Sequence, residues 1–238
     1  SMLVNSIYNL VDQIFIGQGV GYLGNGATNV SFPFVQLLLA LSLMVSAGTA
    51  ANTSLNLGRK EDKEACHYVG NGLGLALGFG LFLLITGEVF LVPLLNFFGA
   101  TEANLPYAIE YSRIMLIGFP FVACGMMMND IIRADGTPRF AMVSMLVGAL
   151  LNVIFDPLFI FVFHWGVRGA ALATIIGQIA TFILSFWKMH HLKTVKLNYA
   201  DIRPVARRAK RILLIGLSAF LTQISMVFVQ IILNNQAA

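Results

Sequence analysis

Two carboxylates stand inside apolar stretches of this sequence, Asp12 and Asp156. An acid at the centre of a membrane helix costs about 2.5–3.5 kcal/mol to insert, so such acids face a bundle interior or a water-filled cavity. Each has polar company at helical spacing. Asn5, Tyr8, Asn9 and Asp12 follow the i, i+3, i+4, i+7 stripe of one helix face, and Gly148, Asn152 and Asp156 form an i+4 ladder. Thr174, Gln178, Thr181 and Ser185 make a third stripe, and Asn129 adds a further amide. Carboxylate, amide and hydroxyl oxygens suit a hard cation. Two neighbouring carboxylates can equally share one proton, because both cannot stay ionised cheaply. Occupancy by either would change local charge and hydrogen bonding, the ingredient that couples an ion gradient to a conformational change. Thr181 and Ser185 read better as ordinary interhelical hydrogen bonding, which averages only ~0.6 kcal/mol per pair.

The elements that must position these groups follow from composition. The 238 residues are 58% hydrophobic and 11% charged, against about 25% charged in an ordinary soluble domain. With a mean hydropathy of +0.80, a soluble globular protein is excluded, since the polar exterior is missing. Seven apolar segments, near 1–19, 29–56, 66–92, 107–132, 140–163, 169–188 and 212–233, read as membrane helices. The fold class is therefore all-α, a polytopic membrane helical bundle.

Loop charge orients it. Thirteen of the fifteen basic residues fall in the 59–64, 133–139 and 188–211 loops, leaving only Arg113 and Arg168 elsewhere. By the positive-inside rule those loops and the amino end are cytoplasmic. Asp12 and Asp156 then each lie eight residues below the outer end of an outward-running helix, roughly 12 Å beneath the surface. At matched depth they can share one site. Asn129 lies nearer the cytoplasmic end of its helix.

The net charge of +4 does not indicate nucleic acid, because residues 188–211 alone hold eight basic residues against Asp201. A polybasic segment beside membrane helices marks topology and contacts anionic lipids. Cys66 and Cys124 imply neither a disulfide framework nor a metal site. Gly70, Gly74 and Gly78, with Gly72, Ala76 and Gly80, are small residues at four-residue spacing, which let membrane helices approach closely. Pro120 and Pro157 each free a carbonyl one turn earlier. Glu88, Glu102 and Glu110 fall near the outer boundary, where solvated or interfacial roles are expected. Asp130 and Arg133 are spaced to pair at the inner boundary, and His164 with Trp165 suits the interfacial belt. The chain starts without an initiator methionine and stops at the end of its seventh segment, so it is expected to be cut at both ends.

The stretch Tyr8-Asn9-Leu10-Val11-Asp12-Gln13-Ile14-Phe15-Ile16-Gly17 resembles the first helix of the MATE (multidrug and toxic compound extrusion) transporters. Asn152-Val153-Ile154-Phe155-Asp156-Pro157 resembles helix five of the DinF-like and archaeal branch, and Asn129 to Gly136 the end of helix four. The resemblance covers the whole chain but only about the first half of a family member. It implies a six-helix amino lobe over 1–190, a cytoplasmic basic linker over 191–211 and the first helix of a second lobe over 212–238. It also implies export of small organic, cationic or amphipathic compounds in exchange for Na+ or H+, from a prokaryotic plasma membrane. By motif position it casts Asp12, Asn152, Asp156 and Thr174 as the cation site, a possible Na+ site, with Tyr8 and Asn129 as supporting polar neighbours. No cofactor is implied beyond the coupling ion. The partners implied are substrate, membrane lipids and the missing second lobe.

Three rivals are weighed on the same residues. An intramembrane aspartyl protease carries Tyr-Asp and Gly-x-Gly-Asp motifs, whereas Val11 precedes Asp12 and Phe155 precedes Asp156. A lipid-linked oligosaccharide flippase of the same architecture places basic residues in its central cavity, for which only Arg113 is a candidate. A channel would neither saturate nor counter-transport.

Overall fold

The computed structural model describes residues 15–192, 194–195, 202 and 205–237, with side chains described as far as 225. All its regular structure is helical. Residues 15–20 form the described end of α1, followed by α2 (Tyr22–Gly58), α3 (Asp62–Phe97), α4 (Leu105–Ala134) and α5 (Pro138–Pro157). A π-helical turn (Leu158–Val162) extends α5, and α6 (Gly166–Met189) and α7 (Ala206–Ala237) complete the order. Five helices, α2 to α6, are long and apolar enough to cross a membrane.

The helices outrun the apolar segments that announced them. The expected connection between the segments near 1–19 and 29–56 shrinks to Gly21, whose φ of 77° lies where only glycine sits without strain. Residues 22–28, polar or small apart from Tyr22 and Leu23, simply extend α2. At 1.5 Å per residue a helix of this length spans about 55 Å, well over the ~30 Å of hydrocarbon. Likewise α7 begins at Ala206, so Arg207, Arg208, Lys210 and Arg211 lie on its first two turns.

Helix α4 is the hub. It packs against α2, α3 and α6, and 72% of its apolar window is buried against 22–44% in the other four. One core cluster, around Val69, Met127, Met128, Ile131 and Met189, sits towards the basic loops. Another, around Phe34, Leu91, Leu116 and Phe119, fills the opposite end. The two glycine stripes on α3 differ in how far their packing runs: Gly72, Ala76 and Gly80 are all buried, whereas the other stripe is buried at Gly70 and exposed at Gly78. A Cβ on Gly72 would meet Thr49 at 2.3 Å and one on Gly80 would meet Pro120 Cα at 2.7 Å, whereas Gly78 has nothing within 4 Å. Helix α7 crosses α2 with backbones in contact, since a Cβ on Gly48 would fall 2.0 Å from the Ile212 carbonyl and one on Gly216 1.8 Å from that of Met44.

The segment after α6 is held under the bundle. Leu192 and Val195 are buried in the core cluster nearest the basic loops. The backbone N–H groups of Thr194 and Val195 both donate to Asp135 Oδ1 at 3.3 Å. Asn71 Oδ1 accepts from the Val205 N–H at 2.5 Å, and Arg208 pairs with Glu64 at 3.0 Å. Asp135→Ala removes two acceptor contacts, a loss of about 1–2 kcal/mol locally. The Thr194 and Val195 amides are then expected to exchange their hydrogens several-fold faster, because exchange follows local opening; unchanged exchange would mean that burial of Leu192 and Val195 suffices to hold them.

Candidate functional site

The Gly148, Asn152, Asp156 ladder of α5 turns inward, and all three residues are buried. What brings it to α6 is the absence of side chains at one crossing. A Cβ on Gly148 would lie 2.6 Å from the Gly177 carbonyl, and one on Gly177 would lie 2.4 Å from that of Gly148. With the two backbones touching, Asn152 reaches both its own helix and the next. Its Nδ2 donates to Asp156 Oδ1 at 3.4 Å and to Thr174 Oγ1 at 3.2 Å. Asp156 is fully buried.

Pro157 closes this turn of α5. It has no N–H to give Val153, and the backbone passes into the π-helical turn directly afterwards. Beyond it an aromatic cap covers the end of the helix. Phe155 stacks on Phe159 at 5.3 Å, and Trp165 stacks on Phe159 and Phe163, each at 5.3 Å. The described turn of α1 leans on the same end, with Ile16 buried against Ile160 and Ala170.

Three of the four residues expected at the cation site, Asn152, Asp156 and Thr174, are thus in one hydrogen-bonded group. Asp12 and Tyr8, like Asn5 and Asn9, lie outside the described residues. Asn129 stands apart from the trio. Its Nδ2 donates to the Ala141 carbonyl at 3.2 Å and to Ser144 Oγ at 2.9 Å, joining α4 to the first turns of α5. Thr181 donates to the Ser144 and Gly177 carbonyls at 3.2 and 3.0 Å, a packing role.

A cavity of about 220 Å³ opens between α4, α5 and α6. Asn152, Thr174, Gln178 and Asn129 line it, and Asp130 and Arg133 stand at the end nearer the basic loops. Asp130 pairs with Arg133 as its spacing implied, but it also accepts from the buried Ser46 hydroxyl of α2. No local pattern announces that contact, because Ser46 and Asp130 are 84 residues apart.

The outer-boundary glutamates are not merely solvated. Glu88 pairs with Arg113 at 2.5 Å, and Glu110 takes Arg168 in a bidentate grip at 2.5 and 2.7 Å. The two basic residues outside the basic loops are therefore both neutralised by neighbours.

The donor set at Asn152, Asp156 and Thr174 consists of oxygens around one carboxylate, which fits a hard monovalent cation or a proton. Asn152 turns its NH2 to Asp156 and Thr174, and its Oδ1, buried without a hydrogen-bond partner among the described residues, would join them at a cation only after the amide rotates. No group of three His, Cys, Asp or Glu side chains gathers among the described residues.

The family model described as MatE matches residues 1–158. The multidrug export protein MepA of Staphylococcus aureus is 28% identical over 235 residues, which are 98% of this chain and 52% of that protein. MepA of Staphylococcus saprophyticus is 26% identical over 240 residues, 98% of this chain and 53% of that protein. Among solved structures, the inward-facing conformation of a multidrug resistance MATE family transporter superposes with a TM-score of 0.87 at 29% identity, covering 94% of this chain and 51% of that one. The outward-facing conformation of such a transporter gives 0.89 at 30% identity, covering 98% and 52%. The chain spans about half the length of the curated relatives it matches.

Proposed function

The chain belongs to the MatE family, and on that premise we propose that it is the amino-terminal lobe of a cation-coupled antiporter, driven by Na+ or H+, that exports organic compounds. The observation that carries this reading is Asn152, buried and bridging Asp156 to Thr174 inside a membrane bundle. A carboxylate so placed is costly without a use, and occupancy by a cation or a proton relieves it.

Asp12 completes the site in this reading. Support comes from Ile16, which lies four residues after Asp12, the spacing of one helical face, and packs against the π-helical turn after Asp156 and against α6. The substrate class follows from the relatives, which are named as multidrug export proteins. The lobe spans 1–190, the linker after it lies on the cytoplasmic side, and α7, which begins at Ala206 rather than at 212, starts a second lobe. That second lobe is the partner against which the first rocks to expose a central cavity alternately to either side. The near-equal superposition on inward-facing and outward-facing relatives supports a lobe that moves as one body.

The test is dye or drug efflux by the full-length protein in proteoliposomes, with sodium and proton gradients imposed separately. Efflux that accelerates with one gradient and saturates with substrate is expected. Flux indifferent to both gradients would overturn the reading.

A further inference from the structure

Several bases at the membrane boundaries are met by a carboxylate: Arg113 by Glu88, Arg168 by Glu110, Arg133 by Asp130 and Arg208 by Glu64. Arg139 and Lys188 have no ion-pair partner among the described residues. The acids before Arg139 are engaged elsewhere, Asp130 with Arg133 and Ser46, and Asp135 with the Thr194 and Val195 amides.

The two bases come together at one corner of the bundle. Phe140, in the first turn of α5, meets the last turn of α6. Its ring lies 6.1 Å from that of Trp187, and the Lys188 Nζ sits 5.4 Å from its centroid. Among the described residues no other ammonium or guanidinium lies over a ring. Arg139 is exposed beside Phe140 in the same turn. Two imidazoles widen the platform. His190 and His191 each donate through Nδ1 to a carbonyl one turn back, of Phe186 at 2.9 Å and of Trp187 at 2.8 Å. Each imidazole lies 4.7 Å from the ring of that same residue.

This corner stands at the edge of the hydrocarbon. One turn deeper, Ile183 of α6 and Val143 of α5 are exposed, as lipid-facing side chains are, and Trp187 itself is 56% exposed. Aromatic residues gather at that level in any membrane protein, and Lys188 at the end of α6 complements that helix's dipole. Neither fact accounts for Arg139, because a base in the first turn of a helix opposes the dipole. Nor does a belt require an unpaired ammonium held over a ring, since a lysine in the interface ordinarily extends its head into water.

We propose that this corner is a seat for the phosphate headgroup of an anionic phospholipid, in the leaflet on the side of the basic loops. Arg139 and Lys188 supply the charge, a planar guanidinium suited to two phosphate oxygens and a compact ammonium to one. The Phe140–Trp187 pair is the floor, and the lipid chains run down the apolar face at Val143 and Ile183. The polybasic linker draws anionic lipid to this side in general, whereas the seat holds one headgroup at a defined place.

The test uses the full-length protein in bilayers, with Trp187 kept and every other tryptophan replaced by phenylalanine. Phosphatidylglycerol with brominated chains, mixed into phosphatidylcholine, is expected to quench Trp187 as though enriched about tenfold over its mole fraction. Brominated phosphatidylcholine in phosphatidylglycerol is expected to show no enrichment. Arg139→Gln combined with Lys188→Gln is expected to abolish the preference at an unchanged melting temperature, and Lys188→Arg to keep it. Replacing Arg207, Lys210 and Arg211 of α7 with glutamine is expected to leave it intact, since salt screens their field beyond about 8 Å. Equal quenching by the two lipids would overturn the seat, as would a preference that survives in the Arg139 and Lys188 double variant. Loss of the preference on removing the α7 bases would also overturn it, because the attraction would then belong to the linker. Inorganic phosphate in molar excess over the lipid is expected to displace nothing; displacement would overturn the lipid in favour of a free anion.

Discussion

Asp156→Asn is expected to cut gradient-driven efflux by two orders of magnitude or more while leaving the bundle folded. The functional half of this expectation is electrostatic. A monovalent cation about 4 Å from a carboxylate gains about 4 kcal/mol at an effective dielectric of 20, close to a thousandfold in affinity. An ion can bias two conformations only by its difference in affinity for them, so a site that has lost this attraction has little left to couple. If the proton is the coupling ion the result is the same, because an amide does not titrate. The structural half is packing. Asparagine matches aspartate in shape and keeps an Oδ1 for the Asn152 Nδ2 that now lies 3.4 Å away. Removing the charge also lifts the roughly 2.5–3.5 kcal/mol insertion penalty of a central acid. The melting temperature in detergent should therefore not fall. The measurements are efflux under imposed gradients, cation binding by the purified protein, and thermal unfolding. Undiminished coupled efflux in a stable variant would remove Asp156 from the coupling site.

Much of this arrangement was legible because membrane helices obey short rules. The runs over α2 to α6 are long and apolar, with basic clusters at alternate connections, so their number and order follow from hydropathy and loop charge. The Asn152–Asp156 ladder was legible because i and i+4 share a face whatever surrounds the helix. What the helix presents that face to is a different matter. Thr174 reaches Asn152 only because Gly148 and Gly177 let two backbones touch; Gly148 is a rung of the ladder, but nothing marks Gly177 among the 22 glycines as its counterpart. The ends of helices were misjudged for a related reason. Residues 22–28, short of apolar side chains, read as a loop, but outside the hydrocarbon a helix needs few of them, and Gly21 alone makes the turn. Long-range polar contacts were invisible in principle. Ser46 and Asp130, Asp135 and Val195, and Glu110 and Arg168 carry no shared pattern, because their meeting depends on how whole helices pack.

Gly148→Ala is expected to be the most damaging methyl group that can be added to the α5 ladder. The new Cβ would lie 2.1 Å from Thr181 Oγ1 and 2.6 Å from the Gly177 carbonyl oxygen. Thr181 can change rotamer, but the carbonyl belongs to the α6 backbone and cannot yield unless the helix moves. Overpacking of this kind costs about 1–3 kcal/mol, sometimes more, which for a domain of this size lowers the melting temperature by roughly 3–10 °C. Separation of the helices would also stretch the 3.2 Å bond from Asn152 to Thr174, so cation affinity should fall together with stability. Two neighbouring changes show whether packing or helix propensity governs. Gly125→Ala would place a Cβ 3.5 Å from Phe182, an ordinary contact, and should be nearly neutral. Gly78→Ala, with nothing within 4 Å, should stabilise by up to about 1 kcal/mol through propensity alone. If Gly148→Ala behaved like Gly78→Ala, α5 and α6 would not be in contact at this glycine, and the geometry that places Asn152 against Thr174 would have to be abandoned.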